Sequence, residues 1–116
     1  MTDERVSGHI EVSPAAVATI ANHVVLNSYG VVGMSPKNLV NGLAQVLRPD
    51  SRRGVDVHID GDRILIDLYV VIEYGVRIAT VASNIMSSVK FSVEKAMGVS
   101  ITAVNVHVQG LHVSTR

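Results

Sequence analysis

Residues 63–75 read Arg63-Ile64-Leu65-Ile66-Asp67-Leu68-Tyr69-Val70-Val71-Ile72-Glu73-Tyr74-Gly75, and this stretch decides the fold. Ile64, Ile66, Leu68, Val70 and Ile72 recur at every second position, the period that lines one face of a β-strand. The positions between them hold Leu65, Asp67, Tyr69, Val71 and Glu73. A strand with one fully solvated face alternates more cleanly than this. The pattern predicts a long central strand with one dry face and one half-wet face. Leu65, Tyr69 and Val71 make that second face a candidate interface, because exposed apolar patches commonly mark docking surfaces.

Just upstream, Val55, Val57 and Ile59 alternate with Asp56, His58 and Asp60, which reads as a second strand. Asp60-Gly61 is a strong two-residue hairpin signal. Taking these two residues as the loop sets Ile59 against Asp62, Val57 against Ile64 and Val55 against Ile66, and puts His58 opposite Arg63. Downstream the period becomes helical. Ile78, Val81, Ala82, Ile85, Val89, Val93 and Ala96 form a stripe of about five turns. Gly98 ends it as a left-handed cap residue, with Val99 supplying the apolar contact that often follows. Val104, Val106 and Val108 alternate with Asn105, His107 and Gln109 in a last strand closed by Gly110. Residues 111–116 read as a loose tail.

The N-terminal third opens with a loose stretch, residues 1–7, and a short strand from His9 to Val12. Ser13 is a good N-cap and Pro14 suits the first helical position. Val17, Ile20, Ala21 and Val24 form the buried stripe of a helix that Gly30 stops. Gly30 to Ser35 reads as a tight connection. Ser35-Pro36 then repeats the cap signal before a second helix carrying Leu39, Val40, Leu43, Val46 and Leu47. Residues 48–54 are a loop with three of the ten basic residues. The order β-α-(α)-β-β-α-β predicts an α/β (α+β) two-layer sandwich, a small mixed sheet with its helices on one face, in a single domain over residues 8–110. The step from the central strand through the long helix to the last strand is a parallel crossover.

Ten basic residues balance ten acidic ones, so the chain has no overall field to draw in nucleic acid or an anionic membrane. Cysteine is absent, which excludes thiolate catalysis, disulfides and cysteine metal sites. There is no secretory signal and no apolar run of the ~20 residues a spanning helix needs, which predicts a cytoplasmic protein without direct membrane insertion.

Catalytic signatures are missing: no Gly-x-Ser-x-Gly elbow, no phosphate-binding glycine loop, no dinucleotide fingerprint. Asp56, His58, Asp67, Asn105, His107 and Gln109 share one sheet face if the last strand lies beside the central one. Their spacing matches no zinc motif, and a polar sheet face explains them better. Gly30-Val31-Val32-Gly33 is similar to the Gly-x-x-Gly loop of KH nucleic-acid-binding domains, the alternative reading of function. Its middle positions are valines, which offer phosphates no charge, and a turn that needs two glycines is the simpler account. The residues point to a protein that is not an enzyme and has no catalytic or metal site.

Ile66-Asp67-Leu68-Tyr69-Val70-Val71-Ile72-Glu73-Tyr74-Gly75, the long helix, and Val104-Asn105-Val106-His107-Val108-Gln109-Gly110 together resemble the alkaline-shock-protein family, the Gls-type envelope stress proteins of bacteria. Gly33-Met34 and the opening from Ile10 to Ile20 fit the same pattern, so the resemblance spans residues 8–113. It is strongest to the short, anchor-free members. The resemblance implies a non-enzymatic bacterial protein of envelope homeostasis or stress response, without cofactor. It further implies that the protein associates with itself or with a protein partner, in some members a membrane-anchored one, with links to lipid metabolism. Glu73, Tyr74, Gly75, Asn105, His107, Gln109 and Gly110 are motif positions to which the family assigns no role.

Overall fold

The structure, a computed structural model, describes residues 11–35 and 54–114. The second helix expected after Ser35, most of the basic loop, the loose N-terminal stretch and the His9-Ile10 half of the first strand lie outside the described residues. Glu11 and Val12 are described and belong to no strand.

Helix α1 spans Pro14–Leu26. The Ser13 side chain accepts from the amides of Ala15 and Ala16, which satisfies donors the helix itself leaves unpaired. The helix ends at an Asn27 cap, three residues before Gly30. Strand β1 follows at Val31–Met34, so the expected tight connection is in fact a strand. A glycine inside a four-residue run weakens a strand signal, and pairing with β3 supplies what propensity does not. Strands β2 (Val55–Asp60) and β3 (Arg63–Glu73) form the expected hairpin, and helix α2 (Ile78–Met97) leads to β4 (Ala103–His112).

The hairpin register differs from the expected one by two residues. Asp60 pairs with Arg63, Ile59 with Ile64, Val57 with Ile66 and Val55 with Leu68, so the loop is Gly61-Asp62. Gly61 has φ 66°, and among the described residues no residue other than glycine has a positive φ. Glycine at the first central position suits a type II′ turn, whereas an Asp60-Gly61 type I′ loop needs Asp60 at positive φ too. A two-residue shift keeps every side chain on its face, so the apolar pattern alone does not separate the registers.

The sheet is mixed. β3 pairs antiparallel with β1 and β2 and parallel with β4. β1 and β2 share one edge of β3 end to end: the Ser35 amide donates to the Tyr69 carbonyl, and the Tyr69 amide donates to the Gly54 carbonyl. Any side chain at position 54 would collide with Ser35, Met34 and Tyr69 there, 2.8–3.1 Å away. Gly54 is therefore required by close backbone approach. On one side of the sheet, Ile64, Ile66, Leu68, Val70 and Ile72 pack against Val17, Ala21 and Val25 of α1 and Val81, Ile85, Val89 and Val93 of α2, which is the expected dry face. Gly98, in the left-handed conformation at φ 71°, ends α2, and Glu94 ties its last turn to the start of β4 by accepting from the Ile101 amide at 2.8 Å.

Candidate functional site

The other face of the sheet carries the polar residues that the sequence singled out. Register places Asp56 opposite Asp67 on one side and Asn105 opposite Asp67 on the other. Asn105 donates from Nδ2 to Asp67 Oδ1 at 3.1 Å, and His107 Nε2 lies 3.0 Å from the same oxygen. An ionised carboxylate only accepts, so this Nε2 carries the proton. His58 Nε2 sits 3.6 Å from Asp67 Oδ2. Burial pushes the Asp67 carboxyl up, but the hydrogen bonds from His107 and Asn105 and the charges of His107 and His58 together hold it below its ordinary value. The His107 ring stacks on Tyr69, with centroids 4.6 Å apart and planes 12° from parallel.

Tyr69 is only 8% exposed within the single chain. Of the three candidate interface residues, Leu65 and Val71 are half-buried and Tyr69 is buried, so the chain itself already covers the aromatic ring. Gly33 lies in β1 opposite Val71 and Gly30 ends the turn before that strand, so Val31, Val32 and Gly33 of the Gly30–Gly33 segment belong to the sheet and not to a loop.

A second cluster was not foreseen. β4 does not stop at Gly110 but runs on to His112, with one extra residue at Gln109: Val70 pairs with Val108 and Val71 with Gly110. This bulge swings His112 onto the polar face opposite Glu73. His112 Nδ1 lies 3.1 Å from Glu73 Oε1, and Ser114 donates to Glu73 Oε2 at 2.8 Å. The Ser114 hydrogen bond first, then that of His112, lower the Glu73 carboxyl. The missed signal was a change of phase, since Leu111 and Val113 continue the alternation of Val104, Val106 and Val108 one position late. Of the motif positions, Tyr74 is exposed with its amide donating to the His112 carbonyl at 2.8 Å, and Gly75 turns the chain at φ 106°. Gln109 is the inserted residue and Gly110 resumes the ladder, so neither keeps the role expected of it.

Serine, histidine and carboxylate thus meet, but in the wrong order for catalysis. The carboxylate stands between Ser114 and His112, so the serine hydroxyl donates to Glu73 and not to the imidazole. No group of three or more metal-ligating residues is poised to hold an ion among the described residues.

The outer edge of β4, like those of β1 and β2 on the far side of the sheet, pairs with no described strand. Its helix-side apolar residues emerge progressively from under α2: Val104 is 9% exposed, Val108 38%, Leu111 46% and Val113 59%. No helix of the described residues is long and apolar enough to cross a membrane.

These features define a small α+β domain, one mixed sheet backed by helices on a single face, with polar clusters and a bare strand edge. The chain belongs to the alkaline shock protein (ASP23) family, described as having a cell envelope-related function, whose profile matches residues 2–113. It is similar to the uncharacterized protein YloU of Bacillus subtilis, 38% identical over 109 residues that cover 92% of this chain and 91% of that one. The uncharacterized protein Spy1614 of Streptococcus pyogenes is 36% identical, covering 91% of this chain and 89% of the relative. Among solved structures, the MamM CTD aligns over 82% of this chain and 94% of its own at 16% identity and a TM-score of 0.49, a likeness too distant to bear on function.

Proposed function

We propose that this chain serves the cell envelope as a non-enzymatic interaction protein, using the outer edge of β4 to pair with itself or with a protein partner. The observation that carries this reading is the outer edge of the ten-residue β4, which pairs with no strand among the described residues and exposes apolar side chains along its helix side. A bare edge offers a row of backbone donors and acceptors, and soluble proteins normally blunt such edges with charge, proline or cover. From Ala103 to Val113 there is no Lys, Arg, Asp, Glu or Pro. The polar clusters of the open face fix β4 against β3 from the inner side and leave the outer edge presented, the arrangement that strand addition uses.

Light scattering across a concentration series tests the reading on the wild type and on Val108→Lys. Val108 is part-exposed, so a lysine there extends into solvent and leaves the melting curve within about 0.5 kcal/mol of wild type. Association, with itself or with a reconstituted envelope partner, is expected to be lost. A Val108→Lys chain that associates as the wild type does would remove β4 from the interface.

A further inference from the structure

The bulge in β4 restricts what can pair with it. Before the break the helix-side positions are Val104 and Val106, the register partners of Ile66 and Leu68, and then Val108, the partner of Val70; after it the helix-side position is Leu111, the partner of Ile72. Val113, one residue past the strand, continues the later phase. A regular strand added at the outer edge keeps its faces matched to β4 only by leaving one β4 residue without a partner, as β3 does at Gln109. A strand that carries the same phase change, inverted, does not have this defect.

We propose that two copies of the chain pair antiparallel through the outer edges of β4, about a twofold axis between Val108 and Gln109. This rests on the reading of β4 as an association edge and adds the partner and the register. Inversion sets each chain's inserted Gln109 against Val108 of the second copy, so the two breaks coincide and the outer ladder has equal counts on both sides. Val106 then meets Leu111 of the second copy, and Val104 meets Val113, helix side against helix side. On the other face Asn105 meets His112, and His107 meets Gly110. The alternative twofold, centred on Val108 itself, sets Val106 against Gly110, which shares a face with Val71, and loses the apolar match. No acid, lysine or arginine lies between Ala103 and Val113 to repel a like strand.

The absence of cysteine makes the test clean. Opposed Cα atoms of an antiparallel pair lie about 4.5–5.5 Å apart, within disulfide reach. Chains carrying Val106→Cys and Leu111→Cys are oxidised in a thiol–disulfide buffer separately and as an equal mixture. A second pair, Asn105→Cys and His112→Cys, repeats the test with exposed residues of the other face, against any loss of fold at Val106. The expected result is a disulfide dimer in each mixture and none in either chain alone. Dimers that form as fast in single-variant samples, or none in either mixture, overturn the register. Light scattering of the wild type separates the causes. An associating wild type without the mixed disulfides leaves the association reading standing and sinks this pairing. A monomeric wild type sinks the second copy as occupant and leaves a different protein partner at the edge.

Discussion

Leu68 and Asp67 are adjacent in sequence and lie on opposite faces of one strand. Leu68 is fully buried among α1, α2 and its strand neighbours, where burial is non-directional and rewards size. Asp67 lies on the open face and is held by directed contacts from two flanking strands, Asn105 and His107 of β4 and His58 of β2. The covered face gives the domain its stability. The open face locks the order and alignment of the strands, because each polar contact exists in one register only. β4 depends on both, and its outer edge depends on neither.

The largest expected effect breaks the covered face. Leu68→Ala leaves a cavity at a site with no solvent access and should cost about 2–5 kcal/mol. Urea denaturation with an unchanged m-value measures it. A cost under about 1 kcal/mol, typical of a surface change, would erase the distinction between the faces. His107→Ala should cost less, roughly 1–2 kcal/mol, because it removes a stacking contact and a hydrogen bond to a carboxylate at a half-exposed site. A double-mutant cycle with Asp67→Asn sharpens this. The two losses share one hydrogen bond and should sum to more than the double mutant shows. Strict additivity would mean that the 3.0 Å contact contributes nothing.

The covered face was legible because a period-2 apolar run in β3 and a 3.6-residue stripe in α2 each report burial locally. Asp67 could be placed with Asn105 and His107 on one face as soon as β4 was set beside β3, since parity follows from the pleat. Three things were not legible. The hairpin register turned on whether Asp60 or Gly61 opened the loop, a choice that a two-residue shift leaves invisible to face patterning. β1 was hidden because Gly30 and Gly33 suggest a turn, and the strand exists through its pairing with β3. The Glu73 cluster required the bulge at Gln109, and one inserted residue makes a continuing strand look like a strand end followed by a tail.

The smallest expected effect concerns the charge on Asp67 and has a sign that pH can test. Burial raises this carboxyl, while the His107 and Asn105 hydrogen bonds and the neighbouring His107 and His58 charges outweigh burial and lower it. In the acid range the folded chain therefore binds fewer protons at Asp67 than the unfolded chain does, so stability rises with pH there. The contribution is complete above the unfolded value of about 3.9 and is lost as pH falls through the lowered folded value. Asp67→Asn keeps the shape and one acceptor oxygen but removes the charge, so it should cost roughly 1 kcal/mol at pH 5. Urea midpoints at pH 5, 3 and 2 should show the gap between wild type and variant narrowing toward acid, because protonation makes the aspartate resemble the amide. A gap that stays constant to pH 2 would show that the carboxylate draws no stability from its histidines. A gap that widens would mean that burial, and not the clamp, dominates at this position.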